Sequence, residues 1–221
     1  GGAVVFPKQE EIKNSEHWLE LIKKYKVTIW NTVPQLSDLL MDVAKVYNEK
    51  ICLRLFLLSG DWIPLNLPSR IAKYCVNAKV VSLGGATEGS IWSIWHKIES
   101  PELISNSIPY GVPMPNQNMY ILDAAGQCMP IGAIGEIHIG GVGVALNYWN
   151  DEERTASSFF IHPDLGRLYK TGDLGKWRKE GYIEFIGRND FQVKIRGYRV
   201  ELGEIEKVIN SYPRIKQSLV L

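Results

Sequence analysis

The sequence predicts an α/β region with a largely parallel sheet, followed by a β-rich region and then a short strand pair that runs into a helix. Three observations carry that prediction. Up to Leu83, stretches with helical spacing of apolar side chains alternate with short apolar or β-branched runs, the pattern of strands joined by crossover helices. From residue 105 the character changes, and Pro109, Pro113, Pro115 and several glycines separate short alternating runs. Near the C-terminus two strand-like runs flank Arg196 and Gly197, and an acid-rich segment follows.

Residues 10–25 place Ile12, Trp18, Leu19, Leu21 and Ile22 at roughly helical spacing with charges between them, which predicts an amphipathic helix. Residues 27–30 are β-branched and aromatic and predict a buried strand. Pro34 then opens a second helix through Leu36, Leu39, Leu40, Val43 and Val46, because a proline at the first helical position forfeits no hydrogen bond. Residues 54–58 form the next apolar strand, ending at Ser59 and Gly60; residues 67–74 read as a helix, and residues 79–83 as a strand that runs directly into Gly84 and Gly85. In such a layer the chemistry sits beyond the C-terminal ends of the strands. Residues 118–122, 136–139, 167–170, 175–178 and 182–186 are predicted strands of a meander. Residues 192–195 and 198–200 read as a hairpin, residues 201–211 as a helix with acidic first turns, and residues 217–221 as the beginning of a further strand.

A chain of 221 residues can bury a sizeable core, and 45% hydrophobic with 22% charged residues is the composition of an ordinary globular protein. A net charge of +1 makes no case for nucleic acid or an anionic membrane as the main partner. No apolar run approaches the ~18 residues of a membrane-spanning helix. The N-terminus has no charged segment leading into an apolar one. Cys52, Cys75 and Cys128 are widely separated and odd in number, which points to a reducing, cytoplasmic setting rather than a disulfide framework. His17, His96, His138 and His162 show no metal-ligand spacing with one another or with the cysteines.

The residues able to do chemistry concentrate in four motifs. In GGATE, residues 84–88, a glycine backbone after a predicted strand can lie close to a ligand where side chains would obstruct it. Thr87 can donate to a phosphoryl oxygen, and Glu88 offers a hard oxygen ligand to Mg²⁺. Taken alone, the pentapeptide is also a plain strand-to-helix turn. The second motif is GEIHIGGVGVALNYW, residues 135–149. In YKTGDL, residues 169–174, the carboxylate of Asp173 can accept hydrogen bonds from both hydroxyls of a ribose, although an aspartate before Leu174 also suits a turn. The fourth motif, GRNDFQVKIRGYRVELGEIE at residues 187–206, begins with Arg188, a cation suited to ribose and phosphate or simply a surface arginine. Asn189 and Asp190 form a turn of the kind that absorbs large φ/ψ changes. Lys194, Arg196 and Arg199 give this segment a basic face, which as a free-standing observation is a solvated surface.

Together and in this order, the motifs resemble the adenylate-forming superfamily, and most closely the adenylation domain of non-ribosomal peptide synthetases; the resemblance covers essentially the whole chain. It implies a partial adenylate-forming (ANL-type) fold of class α/β plus β. Residues 1–108 would be part of the second α/β subdomain of the large N-terminal core, residues 109–188 a distorted β-barrel subdomain, and residues 189–221 the hinge and the start of the small α+β C-terminal lid. The resemblance also implies roles. Thr87 and Glu88 would be catalytic, with Glu88 holding Mg²⁺. Gly60, Gly84, Gly85, Ala86, Asp173, Phe185 and Arg188 would bind ATP. Asp190 would be the hinge about which the lid rotates between adenylate formation and thioester formation. Gly84 stands where the family usually has an aromatic residue that stacks on adenine, and Phe185 where a tyrosine is commoner. The Gly-Gly variant resembles the form found in cysteine-activating members.

Carrying over the family's substrate pocket, anchored on Thr87 and Glu88, on Ser59 and Gly60, and on the IWNTVP turn, gives a lining of Asn31, Leu57, Ser59, Leu83, Ile91 and Trp92, a series similar to that of cysteine-activating domains. Leu57, Leu83 and Trp92 would leave room for a short, weakly polar side chain with Ser59 or Asn31 beside the sulfur. Without the family, Leu57, Leu83 and Ile91 read simply as core. The implied activity joins an amino acid, L-cysteine ahead of the nearly isosteric serine that such a pocket separates only modestly, to ATP as an aminoacyl-adenylate and passes it to the phosphopantetheine thiol of a peptidyl carrier domain, among neighbouring synthetase domains. An acyl-CoA synthetase-like ligase and an inactive scaffold are the alternatives; the pocket and the VELGEIE form of the last motif favour the peptide synthetase. The family's phosphate loop, the aspartate that binds the substrate amine and the catalytic lysine match no residue here. These residues alone are therefore expected to have little or no adenylation activity and to belong to a longer polypeptide. Either an inserted tailoring domain or a plain boundary is expected after residue 221.

Overall fold

The computed structural model describes residues 1–99, 107–189, 192–195, 198–212, 214–215 and 217–220. The chain divides into two compact units, Gly1–Gly84 with Trp95–Gly111, and Gly85–Ile94 with Val112–Leu221. Among the described residues no helix is long and apolar enough to cross a membrane.

The first unit is built around three adjacent parallel strands, β1 (Ile29–Thr32), β2 (Leu55–Leu58) and β3 (Lys79–Gly84), with β4 (Ile94–Ile98) next in the sheet. Helix α1 (Ser15–Tyr25) starts where Asn14 Oδ1 accepts from the amides of Glu16 and His17, and ends at Lys26 in the left-handed conformation. Its first residue lies later than the periodicity predicts, because residues 9–11 form a separate 3₁₀ turn before the Asn14 cap. Helix α2 (Pro34–Val46) opens on its proline, and α3 (Leu67–Tyr74) also carries a proline in its first turn. Phe56 and Leu58 of β2 and Val80 of β3 pack with Leu19 and Ile22 of α1, Leu40, Met41 and Ala44 of α2, and Leu67 and Ile71 of α3. Fully burying a side chain of this size stabilises the fold by about 1.5–3 kcal/mol, so this layer holds the strand ends in place. Arg70 of α3 ties the helices together by pairing with Asp38 and, at 2.5 Å, with Asp42 of α2.

The short β5 (Val112–Pro113) is the last strand in the order β1-β2-β3-β4-β5, and the sheet that follows it in the second unit is antiparallel. Strands β6 (Gln117–Leu122), β7 (Gly135–Gly141), β9 (Gly166–Trp177) and β10 (Ile183–Arg188) lie in the order β10-β9-β7-β6, and β8 (Phe159–His162) pairs with β9. Helix α4 (Glu152–Ser158) is capped by Asp151, whose Oδ1 accepts from the Arg154 amide. The basic segment forms the hairpin β11 (Gln192–Ile195) and β12 (Tyr198–Glu201), followed by α5 (Leu202–Asn210).

Three differences from the sequence reading have physical causes. The predicted break between residues 170 and 175 is absent, because Thr171, Gly172 and Asp173 are accommodated as a bulge within the single strand β9. Helix α4 and strands β4 and β8 lie in segments with no clear periodicity. Residues 217–220 form no strand: the Val220 amide donates to Glu206 Oε1 and Ser218 Oγ to Asn210 Oδ1, so these polar groups find partners on α5 side chains instead of a strand ladder.

Candidate active site

Strand β3 delivers the chain to Gly84 and Gly85. A Cβ on Gly84 would lie 2.1 Å from Cε2 of Tyr110, so the Tyr110 ring occupies the space that a side chain at position 84 would fill. Gly85 has φ +138°, and a Cβ there would come within 2.6 Å of the Ser93 amide nitrogen. The residue is confined to glycine by conformation and by space. Beyond it, Thr87–Gly89 form one 3₁₀ turn rather than a helix. The Ala86 carbonyl accepts from the amides of Gly89 and Ile91, which folds the segment back on itself. Ser90 and Ile91 close the turn with φ of 64° and 72°, a conformation that costs a β-branched side chain such as Ile91 considerable strain.

This turn exposes Thr87 and buries Glu88, which is only 7% exposed. The long loop after β7 and the first residue of β6 fasten it. The Ala145 amide donates to the Glu88 carbonyl at 2.8 Å, Ser90 Oγ to the Gly143 carbonyl at 2.8 Å, and Gln117 Nε2 to the Gly89 carbonyl at 3.2 Å. The hydroxyl of Tyr148 donates to Glu88 Oε1 at 2.6 Å, a short, charge-assisted bond. Burial and then the hydrogen bond to Glu88 raise the pKa of the Tyr148 phenol, which keeps it a donor.

Asp173 sits 6% exposed in the β9 bulge beside Gly172, whose φ is +73°. Thr171 Oγ1 donates to the Ile137 carbonyl at 2.6 Å and accepts from the Asp173 amide at 3.0 Å. The Gly172 amide donates to Glu136 Oε1, and the Asn189 amide to the Gly172 carbonyl. A second bulge, between Phe185 and Gly187 on β10, brings Arg188 directly opposite Asp173. There Arg188 Nη1 donates to Asp173 Oδ1 at 2.7 Å, with both side chains largely buried. Phe185 lies half-buried on the same strand, opposite Gly175.

The remaining sequence-predicted residues fall in two groups. Asn31 of β1 and Leu57 of β2 are register partners, and Ser59 follows Leu57 by two residues. By strand alternation Leu57 and Ser59 lie on the opposite sheet face from Phe56 and Leu58, as does Leu83 relative to Val80 and Ser82. Gly60 ends this segment with φ +86°. Ile91, 66% exposed, and the half-buried Trp92 belong to the second unit. Asp190 and Arg196 lie outside the described residues. Tyr148 is the residue that sequence reasoning missed. It stands inside the quoted motif at residues 135–149, but nothing local links it to a glutamate sixty positions away.

Among the described residues no group of three or more His, Cys, Asp or Glu could hold a metal ion. Mg²⁺ does not require one, since it is commonly held by one or two carboxylates together with substrate phosphates and water. A buried, oriented Glu88 beside an exposed Thr87 hydroxyl fits that donor set.

The family described as AMP-binding enzyme matches residues 1–149. Bacitracin synthase 1 of Bacillus licheniformis is 52% identical over 202 residues, covering 91% of this chain and 4% of that protein. Pyochelin synthetase PchF of Pseudomonas aeruginosa (strain UCBPP-PA14) is 44% identical over 217 residues, covering 97% of this chain and 12% of that protein. The chain thus spans a small part of the curated relatives it matches. Among solved structures, the nonribosomal peptide synthetase FmoA3 in its α-methyl-L-serine-AMP bound form superposes with a TM-score of 0.77 at 41% identity, covering 87% of this chain and 22% of that one. Holo-PA1221, which contains adenylation and PCP domains, superposes with a TM-score of 0.83 at 29% identity, covering 92% of this chain and 36% of that one. The strand-end glycine turn, the buried Asp173–Arg188 pair and these likenesses converge on one conclusion: the chain belongs to the family of AMP-binding enzymes and has part of the fold of a nonribosomal peptide synthetase adenylation domain.

Proposed function

We propose that these residues serve in the ATP-dependent activation of an amino acid, L-cysteine, as an aminoacyl-adenylate, followed by its transfer to the phosphopantetheine thiol of a peptidyl carrier domain. The carrying observation is the buried Glu88, oriented by Tyr148 at the end of the Gly84 and Gly85 turn. In the first step a carboxylate oxygen of the amino acid attacks the α-phosphorus of ATP, and the bond to the β-phosphate oxygen breaks to release pyrophosphate. In the second, the carrier thiol attacks the acyl carbon and AMP leaves. Glu88 would hold Mg²⁺, which supplies neutralisation of phosphate charge when bound. Thr87 donates to a phosphoryl oxygen, Asp173 accepts from the ribose hydroxyls, and Arg188 fixes the Asp173 carboxylate and adds positive charge. The ring of Tyr110, lying over Gly84, offers adenine the aromatic surface that position 84 itself lacks.

Gly60, Gly85, Ala86 and Phe185 complete the nucleotide-binding set. The family resemblance assigns substrate-pocket roles to Asn31, Leu57, Ser59, Leu83, Ile91 and Trp92, a series that suits a short side chain. The reading of a small, weakly polar substrate draws support from FmoA3, described with an α-methyl-L-serine adenylate. The carrier partner draws support from the adenylation and PCP domains joined in PA1221. Residues 1–108, 109–188 and 189–221 are taken as core, barrel and lid segments, with Asp190 as the hinge, and a reducing, cytoplasmic setting fits three free cysteines.

The test is amino-acid-dependent ATP–pyrophosphate exchange by the full-length polypeptide that carries these residues, with each of the twenty amino acids and with Glu88→Ala as control. Exchange led by cysteine and lost in Glu88→Ala is expected, as is a raised KM for ATP in Tyr110→Ala. Exchange led by another amino acid would overturn the cysteine assignment. No exchange with any of them would overturn amino-acid activation and point to a different carboxylic acid or to a scaffold.

A further inference from the structure

We propose that Tyr148 is a positioning residue for the metal-binding carboxylate: it holds one oxygen of Glu88 so that the group is turned correctly for Mg²⁺ carried by ATP. The inference deepens the proposed function and rests on its assignment of Glu88. Its observations, however, concern this chain alone. The phenol hydroxyl reaches Glu88 Oε1 at 2.6 Å, across a separation of sixty residues. A bond this short to a largely buried carboxylate restricts carboxyl rotation and leaves the other oxygen with a defined direction.

Tyr148 is itself held on three sides. Its amide donates to Thr155 Oγ1 at 3.0 Å, and that hydroxyl donates to the Asp151 carbonyl at 2.6 Å, which fixes the backbone to the first turn of α4. The guanidinium carbon of Arg154 lies 4.7 Å from the ring centroid, and Phe159 approaches edge-on with centroids 5.4 Å apart. Beside it, the Ala145 amide grips the Glu88 carbonyl, so the loop that carries Tyr148 is bonded to both the main chain and the side chain of Glu88. A hydroxyl required only for packing would not need this arrangement of backbone anchor, stacked cation and carboxylate partner. Support for a metal-binding carboxylate from a fixed outer group is the usual way such ligands are oriented.

The experiment is Tyr148→Phe in the full-length polypeptide, with ATP binding measured calorimetrically with and without Mg²⁺, alongside pyrophosphate exchange. Losing a hydrogen bond to a charged group predicts a weakening of about tenfold or more in Mg²⁺-dependent ATP affinity. Mg²⁺-free ATP binding should be nearly unchanged, whereas the melting temperature should fall, because a buried carboxylate loses its donor. Thr155→Val, which removes the anchoring hydroxyl but keeps the Tyr148 phenol, should shift the same quantity in the same direction by less, and serves if Tyr148→Phe fails to fold. Equal Mg²⁺ dependence in wild type and variants would overturn the proposal. Loss of Mg²⁺-free and Mg²⁺-dependent binding in equal measure would overturn it too, by making Tyr148 merely structural. If exchange fails with every amino acid while the Mg²⁺ effect on ATP binding is present and lost in Tyr148→Phe, the substrate reading falls and the positioning role stands.

Discussion

At the scale of single residues, the glycine turn shows how space and conformation select side chains differently. Gly85 is fixed by its φ and by the nearby Ser93 backbone, whereas Gly84 is fixed by the ring of Tyr110. Ile91 is the opposite case, a β-branched residue kept at φ 72° while 66% exposed. Little burial offsets a conformational cost of about 1–2 kcal/mol. Ile91→Asn, with a side chain that tolerates this conformation, should therefore stabilise the protein by about 1 kcal/mol and raise Tm by ~2–4 °C. Differential scanning calorimetry would decide the point, and a lowered Tm would mean that Ile91 makes packing contributions larger than its exposure implies. If Ile91 also lines the substrate pocket, the same variant should raise the KM for the amino acid.

At the scale of elements, the β9 and β10 bulges create a site that regular strands would not. Regular pairing would not set Arg188 opposite Asp173, and the extra residues on β9 leave Thr171 free to bond across to β7 and back to the Asp173 amide. The ion pair is largely buried, so removing one member leaves a desolvated charge. Arg188→Met should cost about 3–5 kcal/mol in urea denaturation. The double variant Asp173→Asn with Arg188→Met should be less destabilised than the sum of the two singles, by a coupling of roughly 1–3 kcal/mol. Additive losses would show that the pair contributes through other partners instead. Both variants should weaken ATP binding if Asp173 holds the ribose.

At the scale of the whole molecule, stability should depend on pH through the buried His138 and the half-buried His96. Burial lowers the pKa of His138, opposed by its hydrogen bond to the Glu136 carbonyl and by the Glu136 carboxylate, with Lys170 and His162 lowering it further. Burial also lowers the pKa of His96, opposed by Glu99. A histidine depressed in the folded state binds fewer protons there than in the unfolded chain, so stability is complete above the ordinary value of about 6.5 and declines as the pH falls below it. Tm should drop as the pH is taken from about 7.5 to about 5.5, and His138→Gln should flatten part of that slope while His96 keeps the rest. An unchanged slope in His138→Gln would remove His138 as a cause. Cys75, by contrast, takes no part in this range: burial pushes its thiol up to about 12.

Local sequence determined the three α-helices and the strands β1 to β3 of the first unit, because the apolar spacing around Trp18, Leu40 and Phe56, together with Asn14 and the helix-opening prolines, acts over only a few residues. It also marked the candidate site residues, since Gly85, Glu88, Asp173 and Arg188 stand in motifs whose chemistry is readable from residue type. Tertiary structure alone decided how those residues are held. The single run of β9 through Thr171 and Gly172 depends on bulged pairing with β7, and the pairing of Arg188 with Asp173 depends on register. The bond from Tyr148 to Glu88 depends on a loop folding back over sixty residues, and the filling of the space above Gly84 on the arrival of Tyr110. None of these is encoded in periodicity or propensity. Each arises when distant backbones pack closely enough for a short side-chain contact to replace one with water.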